Sequence, residues 1–219
     1  MRGIGRRPAR CFPFRTVKVR WQKPGRSTGR FVCFGRCTFG RVDRTDLARR
    51  IYTAAHLTGT FTLRSGVVSH EYFDKYRFES DPQLLADIAA SSAALVPDGI
   101  DALAGLELGG VPLATMISQA TRLPAVYVRK QAKTYGTCRL AEGAEIDGRR
   151  LCIVEDVVTS GGAILDAASE LRARGAWLGP VICVIDRESG GRERLAADDL
   201  ELFALYTMSE LSAATAAGA

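Results

Sequence analysis

Residues 151–163 read Leu-Cys-Ile-Val-Glu-Asp-Val-Val-Thr-Ser-Gly-Gly-Ala. The four apolar residues at the front are too short a run for a helix and read as a buried parallel strand. Two adjacent carboxylates, Glu155 and Asp156, stand at its end. A hydroxyl- and glycine-rich turn follows, Thr159, Ser160, Gly161 and Gly162, and a helical pattern opens at Ala163. In an open α/β sheet, ligands bind beyond the carboxyl ends of the strands. Free backbone N–H groups and the dipole of the new helix draw an anion to that point. Glycines let the chain close around it, and the hydroxyls add donors. The paired acids suit a ribose, whose neighbouring hydroxyls each donate to a carboxylate. The stretch therefore predicts a sugar-phosphate site at one edge of an α/β sheet.

Other glycine-rich loops fit less well. No Lys-Ser/Thr follows the glycines, as a nucleoside-triphosphate loop requires, and no G-x-G-x-x-G opens the helix. Working outward, apolar runs predict further strands near 102–106, 125–130, 180–186 and 200–206. Helices near 111–122 and 163–174 separate some of them, the second stopped by Gly175. Upstream, Asp43 or Thr45 caps a helix carrying Leu47, Ile51, Ala54 and Ala55 and closed by Gly59. Phe61-Thr62-Leu63 and Glu71–Tyr76 read as short strands about a turn at Ser65-Gly66. Asp81-Pro82 opens a helix running through Leu84, Leu85, Ile88 and Leu95. The polar stretch 131–150 is long for a loop in a compact domain, which marks it as functional or mobile.

The net charge of +6 hides a division. Twelve of the thirty Lys and Arg, and none of the twenty-four Asp and Glu, lie in residues 1–42, so the remainder carries net −6. The basic leader shows no sustained apolar period and reads as poorly ordered, ahead of one domain over 43–219. Three readings stand for it: a nucleic-acid-binding arm, an Arg-rich targeting peptide, or sequence preceding a true start near Val42. The abruptness of the compositional break favours the third. No apolar run approaches a membrane span.

Cys152 and Cys183 lie in strand-like runs and read as small hydrophobes, while Cys33 and Cys37 lack the partners of a zinc site. Without a secretory apolar region, a reduced cytoplasm is the default. The two histidines, His56 late in the first helix and His70, leave little for a Ser-His-Asp or zinc hydrolase.

The stretch 151–163 closely resembles the phosphoribosyl-pyrophosphate (PRPP) motif of type I phosphoribosyltransferases: strand, two acids, two apolar residues, then Thr-x-Gly-Gly. A turn whose acids merely cap a helix would explain a lone Gly-Gly, but not thirteen consecutive matching residues. Four further segments resemble the orotate branch of that family, in its order. They are Phe61-Thr62-Leu63-Arg64-Ser65-Gly66 with Tyr72-Phe73-Asp74; Gly105–Pro112, like a pyrophosphate loop; Val128-Arg129-Lys130 with Lys133 and Gly136, like the start of a catalytic lid; and Asp186-Arg187-Glu188 with Gly190-Gly191. The likeness spans about 45–206. Arg64 stands where many members have Lys, Tyr135 where a His often precedes the glycine, and Glu107-Leu108-Gly109-Gly110 lacks a Lys that several members carry.

The resemblance implies a central parallel sheet flanked by helices, with a small N-terminal hood and a mobile catalytic loop. It implies transfer of the 5-phosphoribosyl group from PRPP to orotate, giving orotidine 5′-phosphate and pyrophosphate in pyrimidine synthesis. PRPP would be held by Glu155, Asp156, Thr159, Ser160, Gly161, Gly162, Arg129, Lys130 and Lys133. Catalysis would fall to Lys133, Arg129 and Asp156. Orotate would be read by Arg64, Thr159 and Arg187. Mg²⁺ would ride mainly on PRPP, near Glu155 and Asp156, with no metal site of the protein's own. A homodimer follows from a lid that closes over the neighbouring subunit. The basic cluster also makes chemical sense, since a departing pyrophosphate needs neutralising, and a guanidinium at Arg187 suits the carboxylate that sets orotate apart from uracil. A phosphoribosyltransferase for another base, and a PRPP-binding regulator without catalysis, are the alternatives.

Overall fold

A computed structural model describes residues 42–62, 66–131 and 140–216. Its frame is a six-stranded sheet of order β5-β4-β3-β6-β7-β8. The strands are β3 (Ala102–Leu106), β4 (Ala125–Val128), β5 (Ala141–Gly143), β6 (Arg150–Val158), β7 (Trp177–Asp186) and β8 (Leu202–Thr207). All neighbouring pairs are parallel except β4–β5. The strand order reverses beside β3 and β6, the kind of switch point at which an open sheet leaves a crevice.

Alternation along each strand builds three layers. Leu103, Cys152, Val154, Ile182 and Val184 face a core shared with Leu47 and Ile51 of α1 (Arg44–Ala55), Phe78 of α2 (Lys75–Ser80), Ile88 of α3 (Pro82–Ala93), Leu113 and Ile117 of α4 (Gly110–Thr121) and Leu211 of α7 (Met208–Ala216). Their neighbours Ala102, Ala104, Leu151, Ile153, Val181 and Cys183 face Ile164, Ala168 and Leu171 of α5 (Gly162–Arg172) and Leu195 of α6 (Gly191–Ala196). With both faces covered, the central strands read as near-continuous apolar runs. Both thiols are buried, and burial pushes that of Cys152 up to about 12, so neither is a nucleophile at neutral pH.

Several expectations need correcting. α1 does not run to Gly59: it is capped by Asp43, ends at Ala55, and gives way to strand β1 (His56–Thr62), so His56 opens a strand. β1 pairs antiparallel with β2 (Val68–Phe73) in a separate two-stranded sheet, and Gly59 lies where the register shifts between Thr58 and Phe61, within the strand rather than at a helix end. The strand expected over 71–76 stops at Phe73, because Asp74 accepts from the Tyr76 N–H and starts helix α2. α3 ends at Ala93, before Leu95. The stretch 131–150 contains an edge strand, β5. Helices α6 and α7 were not read from the sequence. The leader, Arg64, Lys133 and Tyr135 lie outside the described residues, apart from Val42 at the leader's end.

Candidate active site

β6 continues two residues beyond Asp156, so the acids lie within the strand, and alternation sends them to opposite faces. Glu155 points to the α5 side and lines a cavity of about 400 Å³ at the sheet's carboxyl edge. Asp156 points the other way and is fully buried. The two acids therefore do not share the ligand face as the sequence suggested. Asp156 meets α2 instead, with Lys75 Nζ 2.6 Å from its Oδ2. Its Oδ1 accepts from the Val157 N–H at 2.6 Å.

Lys75 and Glu79 are one helical turn apart, so α2 brings both toward Asp156. Burial works against the Lys75 ammonium, but the Asp156 carboxylate and then Glu155 more than offset it, and its pKa is raised. Burial, reinforced by Asp156, pushes Glu79 up to about 8. Burial and then Asp156 also hold Glu155 well above the usual carboxylate range. Asp156 is itself lowered: burial opposes its charge, but bonds from Glu155, Glu79 and Lys75 outweigh that penalty. Within this cluster Asp156 is the settled anion and Lys75 its counter-ion. Sequence reasoning missed Lys75 and Glu79, because residues 71–76 read as a strand and α2 is too short to show a helical period.

The turn after β6 forms the floor of the cavity. Thr159, Ser160, Gly161 and Gly162 line it, and α5 starts at Gly162. Gly161 adopts φ +73, a left-handed conformation that side chains disfavour, and no side chain caps the helix. The first N–H groups of α5 thus remain available to an anion. On one rim, Arg194 of α6 donates to the Ser160 carbonyl at 3.5 Å. Opposite lies the loop after β3, where Glu107 and Leu108 line the cavity. Gly109 has ordinary helical angles, so its glycine answers to space: a Cβ there would overlap Asp156 Oδ2 and meet Glu79 Oε1 at 2.6 Å.

The basic residues after β4 also divide by alternation. Lys130 lines the main cavity, and its backbone N–H donates to Glu107 Oε2 at 3.1 Å. Arg129 turns toward β5, its Nε 3.8 Å from Glu142 Oε1, and lines an adjoining cavity of about 250 Å³ that shares Glu107, Lys130 and Glu155.

Arg187 leaves the end of β7, and its N–H donates to the Val158 carbonyl at 2.8 Å, which places it beside Thr159. The carboxylates flanking it are otherwise engaged. Asp186 pairs with Arg192 at 3.2 Å, and Glu188 accepts from the Ser209 N–H and hydroxyl. Arg187 forms no ion pair among the described residues, and it lines a cavity with Tyr72, Phe73 and Met208. A capping ion pair therefore does not explain it.

This geometry has known counterparts. A family model for the phosphoribosyl transferase domain matches residues 77–204. An orotate phosphoribosyltransferase of Nocardioides sp. is 56% identical over 79% of this chain and 97% of its own length. One from Halobacterium salinarum is 46% identical over 70% and 87%. Among solved structures, the Mycobacterium tuberculosis orotate phosphoribosyltransferase in complex with Fe(III) dicitrate superposes with a TM-score of 0.70, at 32% identity, covering 78% of this chain and 99% of that one. The same enzyme in complex with PRPP gives 0.68 at 29% identity, covering 78% and 99%. An α/β sheet with a phosphate-sized turn at its switch point thus belongs to a phosphoribosyl transferase domain, a pentosyltransferase fold. Within it, the chain belongs to the orotate phosphoribosyltransferases, the family that forms orotidine 5′-phosphate in pyrimidine biosynthesis.

Proposed function

We propose that the chain binds PRPP in the β6–α5 cavity and transfers its phosphoribosyl group to orotate held beside Arg187. The observation that carries this reading is one ligand edge. It gathers a helix N-terminus, the Glu155 carboxylate, a cation at Lys130 and, on the next strand, the Arg187 guanidinium, which has no ion pair among the described residues. The 5′-phosphate sits on the Thr159–Gly162 turn, where the dipole of α5 favours negative charge. Glu155 accepts from the ribose hydroxyls, and Asp156 acts from beneath through its neighbours. The pyrophosphate lies toward Glu107–Gly110 and Lys130.

In the transfer, the bond from the anomeric carbon to pyrophosphate breaks largely before the base nitrogen attacks. Pyrophosphate leaves with the electron pair, and the nitrogen closes on the same carbon. Such a step asks for positioning and charge stabilisation more than for a strong base. The residues present suit Mg²⁺ carried by the substrate: Glu107 and Glu155 are carboxylates on the cavity, and among the described residues no three His, Cys, Asp or Glu gather to hold a metal alone. Bound there, the ion would neutralise phosphate charge. Lys133 and Arg129 are assigned to the lid that covers the reacting centre, supplied across a homodimer. The PRPP complex of the M. tuberculosis relative supports the first substrate. No helix among the described residues is long and apolar enough to cross a membrane.

Arg187 provides the test. Arg187→Ala should remove a bidentate partner of the orotate carboxylate, worth about 2–3 kcal/mol, and lower kcat/KM for orotate tenfold to a few hundredfold. The poor reaction of uracil, which has no carboxylate, should change little. A constant ratio of the two efficiencies would show that Arg187 does not read the carboxylate.

A further inference from the structure

The loop Glu107-Leu108-Gly109-Gly110 contains no cation. In the reading above, this loop must nevertheless face a leaving group whose negative charge grows as the bond breaks. A cation reaches it from a different element. Lys75 opens α2, and its Nζ lies 2.6 Å from Asp156 Oδ2. That same oxygen is the atom against which Gly109 packs, with no room for a Cβ between them. The ammonium and the turn of the loop thus meet on one buried oxygen.

The position of Lys75 is also open to a ligand. Its side chain is 32% exposed, whereas that of Asp156 is wholly buried, and it lines the cavity together with Leu108, Lys130, Glu155 and Thr159. An ammonium has three donors. Asp156 takes one, which leaves donors for the cavity. A buried carboxylate that fixes the side chain in advance also removes the entropy cost of ordering a long, flexible lysine when the ligand arrives.

We propose that Lys75 is a pyrophosphate-binding residue, and that Asp156 is the positioning residue that holds it beside a loop lacking positive charge. The proposal rests on the phosphoribosyl-transfer reading. It reassigns the work of the second acid: Asp156 aims a cation at the leaving group, and Glu155 alone faces the ribose.

A merely structural Lys75, present only to neutralise Asp156, makes different predictions. Calorimetric titration of the full chain with Mg²⁺–pyrophosphate and, separately, with ribose 5-phosphate distinguishes them. Lys75→Met should weaken pyrophosphate about tenfold or more, the loss of a charge-assisted contact, and leave ribose 5-phosphate within about threefold. Because that variant strands a buried carboxylate, Lys75→Met/Asp156→Asn, in which neither charge remains, is compared with Asp156→Asn alone, whose amide oxygen can still accept from Lys75. The double variant should bind pyrophosphate more weakly than the single one, by a smaller factor than Lys75→Met loses from wild type, because Asp156→Asn has already loosened the hold on Lys75. Equal pyrophosphate affinity in those two proteins would overturn the proposal, as would equal loss of both probes in Lys75→Met. Neither titration involves a base. A wild type that binds both probes yet consumes no orotate would sink the proposed reaction, while the variants still decide the role of Lys75.

Discussion

Glu79 and Asp156 cannot both carry charge beneath the Glu107–Gly110 loop without cost, and the proton goes to Glu79. Burial and the Asp156 carboxylate push Glu79 up to about 8 from 4.5. Its folded pKa lies above its unfolded one, so the folded state keeps a proton that the unfolded chain gives up. The stability from this group is fully present below pH 4.5 and is lost as pH rises through about 8. Asp156 runs the other way: its pKa is lowered, and its contribution is lost in acid. Glu79→Gln keeps the size and removes the titration. It should leave the Tm nearly unchanged at pH 4, below the unfolded value, and raise it by a few degrees at pH 8.5, since about 1 kcal/mol moves a chain of this length by 2–4 °C. Equal shifts at both pH values, by thermal denaturation, would contradict the shared-proton account. Much at this scale was legible beforehand. Glu155, Thr159 and the Gly161 turn stand on the cavity because the motif itself encodes strand, turn and helix, and Lys130 joins them from the end of β4. The division of Glu155 from Asp156 was missed, because the pair was read as standing past the end of its strand rather than within it, where consecutive residues face opposite ways. Lys75 was hidden because α2 is six residues long and buries one side chain fully, Phe78, too little to show a helical period.

At the scale of elements, the parallel strands β3, β6, β7 and β8 were readable because burial on both faces gives each a run of apolar residues. The strands read only in part or not at all are set by tertiary pairing. β1 is a mostly exposed strand that exists through its register with β2, and β5 is a three-residue antiparallel edge on β4. The Glu107–Gly110 loop is likewise shaped by what lies under it. Gly109→Ala should force the loop away from Asp156, whose side chain is pinned by the Val157 N–H and Lys75 and cannot yield. Overpacking of this kind costs about 1–3 kcal/mol. The KM for PRPP should rise about twofold to tenfold if half of that strain falls on the bound loop. An unchanged KM alongside a lowered Tm would mean that the strain is relieved away from the ligand.

For the molecule as a whole, three layers place every proposed ligand group on one edge, because parallel strands end together and the order reverses between β3 and β6. The helices of one layer bring Lys75 and Glu79 up from below, and α5 presents its N-terminus from the other layer. The fold and its ligand edge were therefore legible from the motif and the alternation of elements, while the buried support of that edge was not, because it is assembled from segments about eighty residues apart. The central claim is transfer to a base that carries a carboxylate, and the most direct measurement is PRPP-dependent consumption of a panel of bases by the full chain, with Mg²⁺ present. The account expects orotate to be converted to orotidine 5′-phosphate with release of pyrophosphate, at a kcat/KM at least a hundredfold above those for uracil, adenine, guanine and hypoxanthine, the order expected when a buried ionic partner is left unmet. Efficient turnover of a base without a carboxylate, or no turnover of orotate by a folded protein that binds PRPP, would contradict it.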